Sequence, residues 1–211
     1  MQGKHVVVTG GRGALGKGVV DLLSSKGAIV HVADRPDVFL DNEDAAVAYY
    51  AALPELWASI HLVGGFAMGP LVETSLADFE GQWRLNTVTC FLSCREAVKR
   101  MKQSGGGRIV NVASRPVVEP AGGANKIAYT SAKAAVASIT QSLAAEVLEA
   151  NILVNAIVPS TIDTPANRAA MPTANFSTWP TPAQIAETVA FLASPENMLT
   201  TGTLVPVYGR G

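Results

Sequence analysis

Val6-Val7-Val8-Thr9-Gly10-Gly11-Arg12-Gly13-Ala14-Leu15-Gly16-Lys17 is the stretch on which the reading of this chain turns. A β-branched run leads into a glycine-rich turn and then into a helical pattern. Leu15, Val19, Leu22 and Leu23 recur at helical spacing. Gly11-x-Gly13-x-x-Gly16 fits a GxGxxG pattern. Glycines there let the backbone approach a dinucleotide pyrophosphate, and free helix N–H groups favour its charge. A lone match of this kind is weak, and a plain glycine turn satisfies it. The flanking strand and helix, and an acidic residue at the right distance, strengthen it.

Working outward, His5–Thr9 predicts a strand and Ala14–Lys26 a helix stopped at Gly27. Ala28–Ala33 is a second strand ending in Asp34, 18 residues beyond Gly16. A carboxylate at that place accepts hydrogen bonds from an adenosine ribose and repels a 2′-phosphate, which favours NAD(H). Arg12 and Arg35 are cations able to pair with that phosphate, which keeps NADP(H) open.

The next segment departs from the pattern. Val38-Phe39-Leu40-Asp41 looks like a third strand, yet only Arg35, Pro36 and Asp37 precede it after Asp34. A parallel crossover needs about a dozen residues or more. Either a helix has been lost and the sheet is locally rearranged, or this run is not a regular strand. The adenine side is therefore expected to be open or irregular.

Beyond it, Glu43–Ala52 predicts a helix and Trp57–Val63 a strand leading to Gly64-Gly65-Phe66, a second glycine turn suited to a ligand. Asp78–Met101 predicts a long helical stretch, with room for a break, that carries Asn86. Arg108–Ala113 reads as a buried strand ending at Ser114, followed by a loop rich in Pro and Gly to Asn125. Ile127–Ala150 reads as a strong helix with Tyr129 and Lys133 on one face. Ile152–Val158 is a strand ended by Pro159, and a polar loop runs from Ser160 to Thr181. Helix Pro182–Leu192, with Thr181 as cap, and strand Thr203–Val207 complete the chain. This alternation predicts an α/β fold: a doubly wound, Rossmann-like parallel sheet in a single domain over 1–211, shortened between strands two and three.

Composition agrees. Of the 211 residues, 48% are hydrophobic and 16% charged, and the net charge is −1 without a basic run. Nucleic acid and anionic membrane are therefore not implied as partners. No signal peptide and no apolar run of transmembrane length is read, so a cytoplasmic protein is expected. Cys90 and Cys94 share a helix face. With no other Cys and no nearby His in the sequence pattern, they read as buried free thiols in a reducing compartment, with no metal expected.

The order of Ser114, Tyr129 and Lys133 sharpens the picture. A serine stands past a buried strand, at the sheet edge where ligands bind, and a tyrosine and lysine follow one helical turn apart. With Thr9-Gly10 to Gly16, Asp34, Asn86, Asn155-Ala156, Pro159 to Thr164 and Gly202, these residues make the chain resemble a short-chain dehydrogenase/reductase over nearly its whole length. The resemblance implies hydride transfer between a nicotinamide and a small carbonyl or alcohol. It assigns Tyr129 as general acid/base, Ser114 to the substrate oxygen, Lys133 to the nicotinamide ribose and Asn86 to a water beside Lys133. A nearby ammonium and the oxidised nicotinamide would lower a tyrosine pKa from about 10. Asn86 also has a plainer reading, as a helix residue satisfying a local kink. Cofactor contacts are implied at Gly10, Arg12, Gly13, Ala14, Leu15, Gly16, Asp34, Gly64, Tyr129, Lys133, Pro159, Ile162 and Thr164. A homodimer or homotetramer is implied, built through the helices around Leu85–Met101 and Ile127–Ala150.

Departures from the family pattern are visible. Ala14 stands at the second signature glycine, His61-Leu62-Val63-Gly64 replaces the usual Asn-Asn-Ala-Gly, and the Ser114–Tyr129 loop carries two residues more than the family pattern. His61 reads as a core or turn histidine. Locally, Gly10 to Gly16, Gly64-Gly65-Phe66, Asp163-Thr164-Pro165, Asn167-Arg168, Met171-Pro172, Ala174, Phe176-Ser177 and Trp179 are similar to quinonoid dihydropteridine reductases. That family lacks the serine, so a general carbonyl reductase stands first, a pterin reductase second and a non-catalytic dinucleotide-binding protein third.

Overall fold

In the computed structural model, residues 1–210 are described. Six parallel strands form one sheet in the order β2-β1-β3-β4-β5-β6. They are β1 (His5–Thr9), β2 (Ile29–Ala33), β3 (Ala58–His61), β4 (Gly107–Val112), β5 (Ile152–Pro159) and β6 (Leu204–Val207). Alternation along β1 divides the core. Val6 and Val8 face one side, where α1 (Ala14–Ser25) packs on α8 (Pro182–Ala193) through Val19, Leu23, Ile185 and Val189. Val7 faces the other side, toward Tyr50, Leu92 and Val136 of α2 (Glu43–Ala51), α4 (Thr89–Gln103) and α6 (Ile127–Glu146). Both faces of the sheet are covered, which is why the strand sequences read as unbroken apolar runs.

Local chemistry sets the helix ends. Thr181 caps α8, accepting from the Gln184 amide at 3.2 Å while Gln184 reaches back to the Thr181 amide, and Pro182 occupies the first turn. Asn42 caps α2 in the same way, accepting from the Ala45 amide at 2.9 Å. α3 (Leu76–Trp83) starts in a capping box between Ser75 and Asp78. The break expected in the long helical stretch is a π-helical segment over Arg84–Val88, between α3 and α4. The loop expected after Ser114 holds a short helix, α5 (Arg115–Val118), and the one after Ser160 holds α7 (Pro165–Ala170). The strong helix ends earlier than its pattern, at Glu146, with a 3₁₀ turn over Leu148–Ala150. Among the described residues no helix is long and apolar enough to cross a membrane.

The segment after Asp34 decides between the two alternatives left open there, in favour of an irregular run. Val38–Asp41 is not a strand. The amides of Asp37 and Val38 both turn back to the Asp34 carbonyl at 3.1 Å, and Asn42 turns back to Phe39. Val38 and Leu40 bury their side chains in the core with Ala46 and Tyr50, while Phe39 stays outside. Three residues are too few to recross the sheet, so the apolar run packs as an irregular strap and leads directly into α2. β2 is left as the edge strand. β1 then has β2 on one side and β3 on the other, which makes it the switch point where a parallel sheet opens a crevice at its carboxyl end.

Candidate active site

The turn after β1 is built from backbone. Gly10 has φ +67°, and a Cβ there would stand 2.9 Å from the Val63 amide nitrogen. A Cβ on Gly16 would come within 2.1 Å of the Gly10 carbonyl oxygen. Gly13 precedes α1 without a side-chain cap, and the first turn carries no acidic residue. Ala14 and Leu15 open the helix, so the free N–H groups and the dipole favour an anion at this place. A cleft of about 390 Å³ runs from here to the second glycine turn, lined by Gly10, Arg12, Asp34, Leu40, Leu62 and Gly64 among others. A backbone cradle with a carboxylate beside it fits a dinucleotide.

Beside the first glycine turn, at the end of β2, Asp34 accepts from the amides of Arg12 and Arg35, each at 2.9 Å. The Arg12 guanidinium is paired with Asp37 and donates to the Arg35 carbonyl at 2.9 Å. Arg35 in turn is paired with Asp41 at 3.0 Å. Both cations that kept a 2′-phosphate open are thus already matched by carboxylates of the strap.

A second group of polar side chains gathers where β3 and β4 finish. Lys133 is buried, one turn beyond Tyr129 on α6, and donates to the Val112 carbonyl at 2.9 Å. Burial pulls its pKa down to about 8, against a smaller opposing pull from Cys90. Tyr129 lies on the same face of α6. Burial pushes its phenol up, and a hydrogen bond with Ser114 acts in the other direction. Ser114 is buried just past β4, at the N-cap of α5. Asn86 sits in the π-helical segment, a type of insertion often found at functional sites. Its amide clamps the second glycine turn: Oδ1 accepts from the Gly65 amide at 3.2 Å, while Nδ2 donates to the carbonyls of Gly65 at 3.1 Å and Gln82 at 3.0 Å. A Cβ on Gly64 would stand 2.7 Å from Asn86 Oδ1 and 3.3 Å from Lys133 Nζ, which places all three together.

Comparison with known proteins decides the family. A family model described as enoyl-(acyl carrier protein) reductase matches residues 2–209. The chain belongs to the short-chain dehydrogenase/reductase family. It is an NAD(P)-dependent oxidoreductase. It is 28% identical over 239 residues to the 3-oxoacyl-(acyl-carrier-protein) reductase FabG of Vibrio cholerae, covering 99% of this chain and 97% of the relative. An uncharacterized short-chain type dehydrogenase/reductase of Sinorhizobium fredii is 31% identical over 244 residues; 98% of this chain matches, but the chain spans only 43% of that relative. In fold it is similar to a short-chain type dehydrogenase/reductase from Mycobacterium ulcerans, with a TM-score of 0.91, 24% identity, and 99% and 90% of the two chains covered. It is likewise similar to a 3-ketoacyl-(acyl-carrier-protein) reductase from Brucella melitensis complexed with NADH, with a TM-score of 0.87, 24% identity, and 99% and 98% coverage.

Further contacts of this dehydrogenase/reductase order the segment after β5. Thr164 caps α7 by accepting from the Asn167 amide at 3.2 Å, and Asn167 donates to the Ile162 carbonyl at 2.8 Å. Those bonds hold the segment that follows Pro159. Arg168 grips Asp163 through two bonds, of 2.5 and 2.8 Å, and lies over the Phe176 ring. Phe176 and Trp179 stand 5.0 Å apart at 55°. Sequence reasoning did not single out Phe66 as a neighbour of Tyr129, yet its exposed ring stands edge-on to that phenol, 5.0 Å between centroids. The glycine pair before it was the available signal, since it marks a turn suited to a ligand at the end of β3.

One reading of the cysteines is corrected here. Cys90 and Cys94 are buried free thiols as expected, but a histidine does stand beside them: His61 Nδ1 lies 3.5 Å from Cys94 Sγ. The strand–helix contact that joins them spans 33 residues of sequence, which spacing alone does not show.

Proposed function

We propose that this enzyme reduces a small carbonyl compound with NADH, and runs the reverse reaction on the alcohol, with Tyr129 as proton donor and acceptor. The observations that support this reading are that Gly64 stands beside Asn86 and Lys133, and that Tyr129, one turn before Lys133 on α6, hydrogen-bonds with Ser114 just past β4. When bound, the nicotinamide supplies or accepts the hydride. Tyr129 gives its phenolic proton to the substrate oxygen, which Ser114 orients by a hydrogen bond. Lys133 lowers the cost of the phenolate and reaches the cofactor ribose. Asn86 holds the glycine turn and, through it, the space beside Lys133. Gly10 to Gly16 receive the pyrophosphate on α1, and Pro159, Ile162 and Thr164 border the nicotinamide. Asp34 and the committed guanidinium of Arg12 favour NAD(H) over NADP(H).

A second reading, reduction of a quinonoid pterin, is favoured by Phe66, whose ring stands against Tyr129, and by the Phe176–Trp179 pair, which offer flat apolar faces. Steady-state assays with simple ketones and with quinonoid dihydropterin, each with NADH and NADPH, separate the readings. NADH-dependent ketone turnover that disappears in Tyr129→Phe, while calorimetric NADH binding persists, supports the first. Turnover of pterin alone replaces it with the second, and turnover of neither overturns both. Family members assemble as oligomers, and here a homodimer or homotetramer through α4 and α6 is proposed. Phe91 on α4, and Phe79 and Trp83 on the adjoining α3, are exposed apolar side chains that such an interface would cover.

A further inference from the structure

The buried polar cluster beneath the active site is not used by the chemistry above. Cys90 and Cys94 lie one turn apart on α4 with their sulfurs 4.0 Å from each other. His61, on β3, brings Nδ1 to 3.5 Å from Cys94 Sγ. One ligand atom from each of the three lies within 4.8 Å of the other two, and all three residues are buried. Asn111 on β4 adds an amide oxygen, 3.5 Å from Cys94 Sγ and 2.7 Å from His61 Nδ1. Two sulfurs, an imidazole nitrogen and a carbonyl oxygen thus converge in a space closed to solvent.

We propose that His61, Cys90 and Cys94 form a structural binding site for a Zn²⁺ ion, with the Asn111 side-chain oxygen as the neighbouring fourth donor. The spacing supports this. A tetrahedral zinc with Zn–S of about 2.3 Å and Zn–N of about 2.0 Å sets its sulfurs about 3.8 Å apart and sulfur and nitrogen about 3.5 Å apart. The observed separations of 4.0 and 3.5 Å need little adjustment. Donors four apart on a helix face serve one metal well, as two histidines do in the HExxH arrangement.

A disulfide is the rival use of the two thiols, and the helix disfavours it. Residues four apart on a helix hold their Cβ atoms about 5–6 Å apart. A disulfide wants them at about 3.8 Å. The helix would have to distort to close the bond, whereas a metal bridges the gap as it stands.

The second layer also suits a metal. His61 Nε2 lies 2.8 Å from Ser59 Oγ, which lies 2.9 Å from the Tyr50 hydroxyl. Ligating histidines commonly hold their orientation through the other ring nitrogen. Without metal, His61 carries its proton on Nδ1, because Asn111 Oδ1 only accepts; Asn111 Nδ2 meanwhile donates to Thr140 at 2.9 Å. Binding releases the thiol protons to solvent. The imidazole proton moves from Nδ1 to Nε2, where Ser59 Oγ accepts it, and no oxidant or reductant is consumed. The ion would fasten α4 to β3 directly below Lys133, on the side of the sheet where the irregular strap stands in for a regular crossover.

The test uses tag-free full-length protein dialysed against Zn²⁺ and then against metal-free buffer, with metal content read by mass spectrometry. The expected result is one zinc retained per chain. Replacement by Co²⁺ should give a thiolate-to-metal charge-transfer band, and added Zn²⁺ should raise the thermal midpoint. Cys90→Ser and Cys94→Ser should each lose the zinc and the band while circular dichroism shows a folded chain. Should either variant fail to fold, the wild type decides: Zn²⁺ should slow alkylation of both cysteines under native conditions. Wild type that retains well under one zinc per chain, a Co²⁺ spectrum unchanged in both folded variants, or alkylation indifferent to Zn²⁺ would each overturn the proposal. None of these readings depends on turnover, so they stand apart from the substrate assays.

Discussion

Lys133 Nζ donates to the Val112 carbonyl at 2.9 Å, so the ammonium of α6 is fastened to the last residue of β4. That bond and the surrounding core hold a cation where water cannot reach it well. The consequence is thermodynamic as well as catalytic. Burial brings the folded pKa down to about 8, below the ordinary lysine value of 10.5. Between those two values the unfolded chain binds more protons than the folded one, so this group makes stability rise with pH across the window and opposes folding below it. Lys133→Met should flatten that rise. Urea unfolding at neutral pH and near pH 10 checks it, and an unchanged difference between the two pH values would remove the argument.

Tyr129 should set the pH profile of turnover. Burial holds its phenol above the ordinary range, with the Ser114 hydrogen bond pulling it partway back. Reduction needs the protonated phenol, so its rate should hold through neutral pH and fall on the alkaline side. Oxidation needs the phenolate and should rise with pH. Tyr129→Phe should cost about 10²–10⁴-fold in kcat, the usual worth of a placed acid or base. Ser114→Ala should displace the alkaline limb upward, because it removes the bond that favours the charged form. A limb that does not move would assign the titration to another group.

Cofactor choice should hinge on Asp34. Its carboxylate is held at the strand end by the Arg12 and Arg35 amides. Asp34→Ser removes the charge that meets the ribose hydroxyls and lifts the repulsion toward a 2′-phosphate. NADH affinity should fall by about 10- to 100-fold, the range of a hydrogen bond to a charged group. NADPH affinity should hold or improve. Calorimetric titration of both cofactors measures the ratio, and a ratio that stays put would show that Asp34 does not face the ribose.

Much of this was legible in the chain because the signals are local. The turn from Gly10 to Gly16 is dictated by backbone contacts that only glycine permits, and Tyr129 and Lys133 share a face because a helix has 3.6 residues per turn. Val38–Asp41 left two readings open because an apolar run marks burial without saying whether the buried backbone pairs with a neighbour. Here Val38 and Leu40 are buried while their amides turn locally. The cluster of His61, Cys94 and Asn111 stayed hidden for a different reason. Three elements supply it, from β3, α4 and β4, and only their packing brings them within bonding distance. Of the two readings of Asn86, the plainer one is what its contacts display: its amide satisfies the π-helical segment at Gln82, and it also fixes Gly65, a contact that the chain's spacing does not show.

Gly64 is the position where fold and site meet most tightly, and Gly64→Ala tests that meeting. The new methyl would stand 2.7 Å from Asn86 Oδ1 and 3.3 Å from Lys133 Nζ, so one side chain or both must give way. The Asn86 amide cannot shift without loosening its bonds to Gly65 and Gln82. Lys133 cannot retreat without losing the Val112 carbonyl. Overpacking of this size costs about 1–3 kcal/mol. The methyl meets side chains rather than strand backbone, so the sheet itself should survive. The expected result is a folded protein with a modestly lower thermal midpoint and a kcat down by about 10²-fold, the penalty of misplacing reacting groups by about an ångström. Far-ultraviolet circular dichroism, a melting curve and steady-state kinetics on one preparation make the measurement. Wild-type kcat in a folded Gly64→Ala variant would mean that Asn86 and Lys133 do not need the positions seen here.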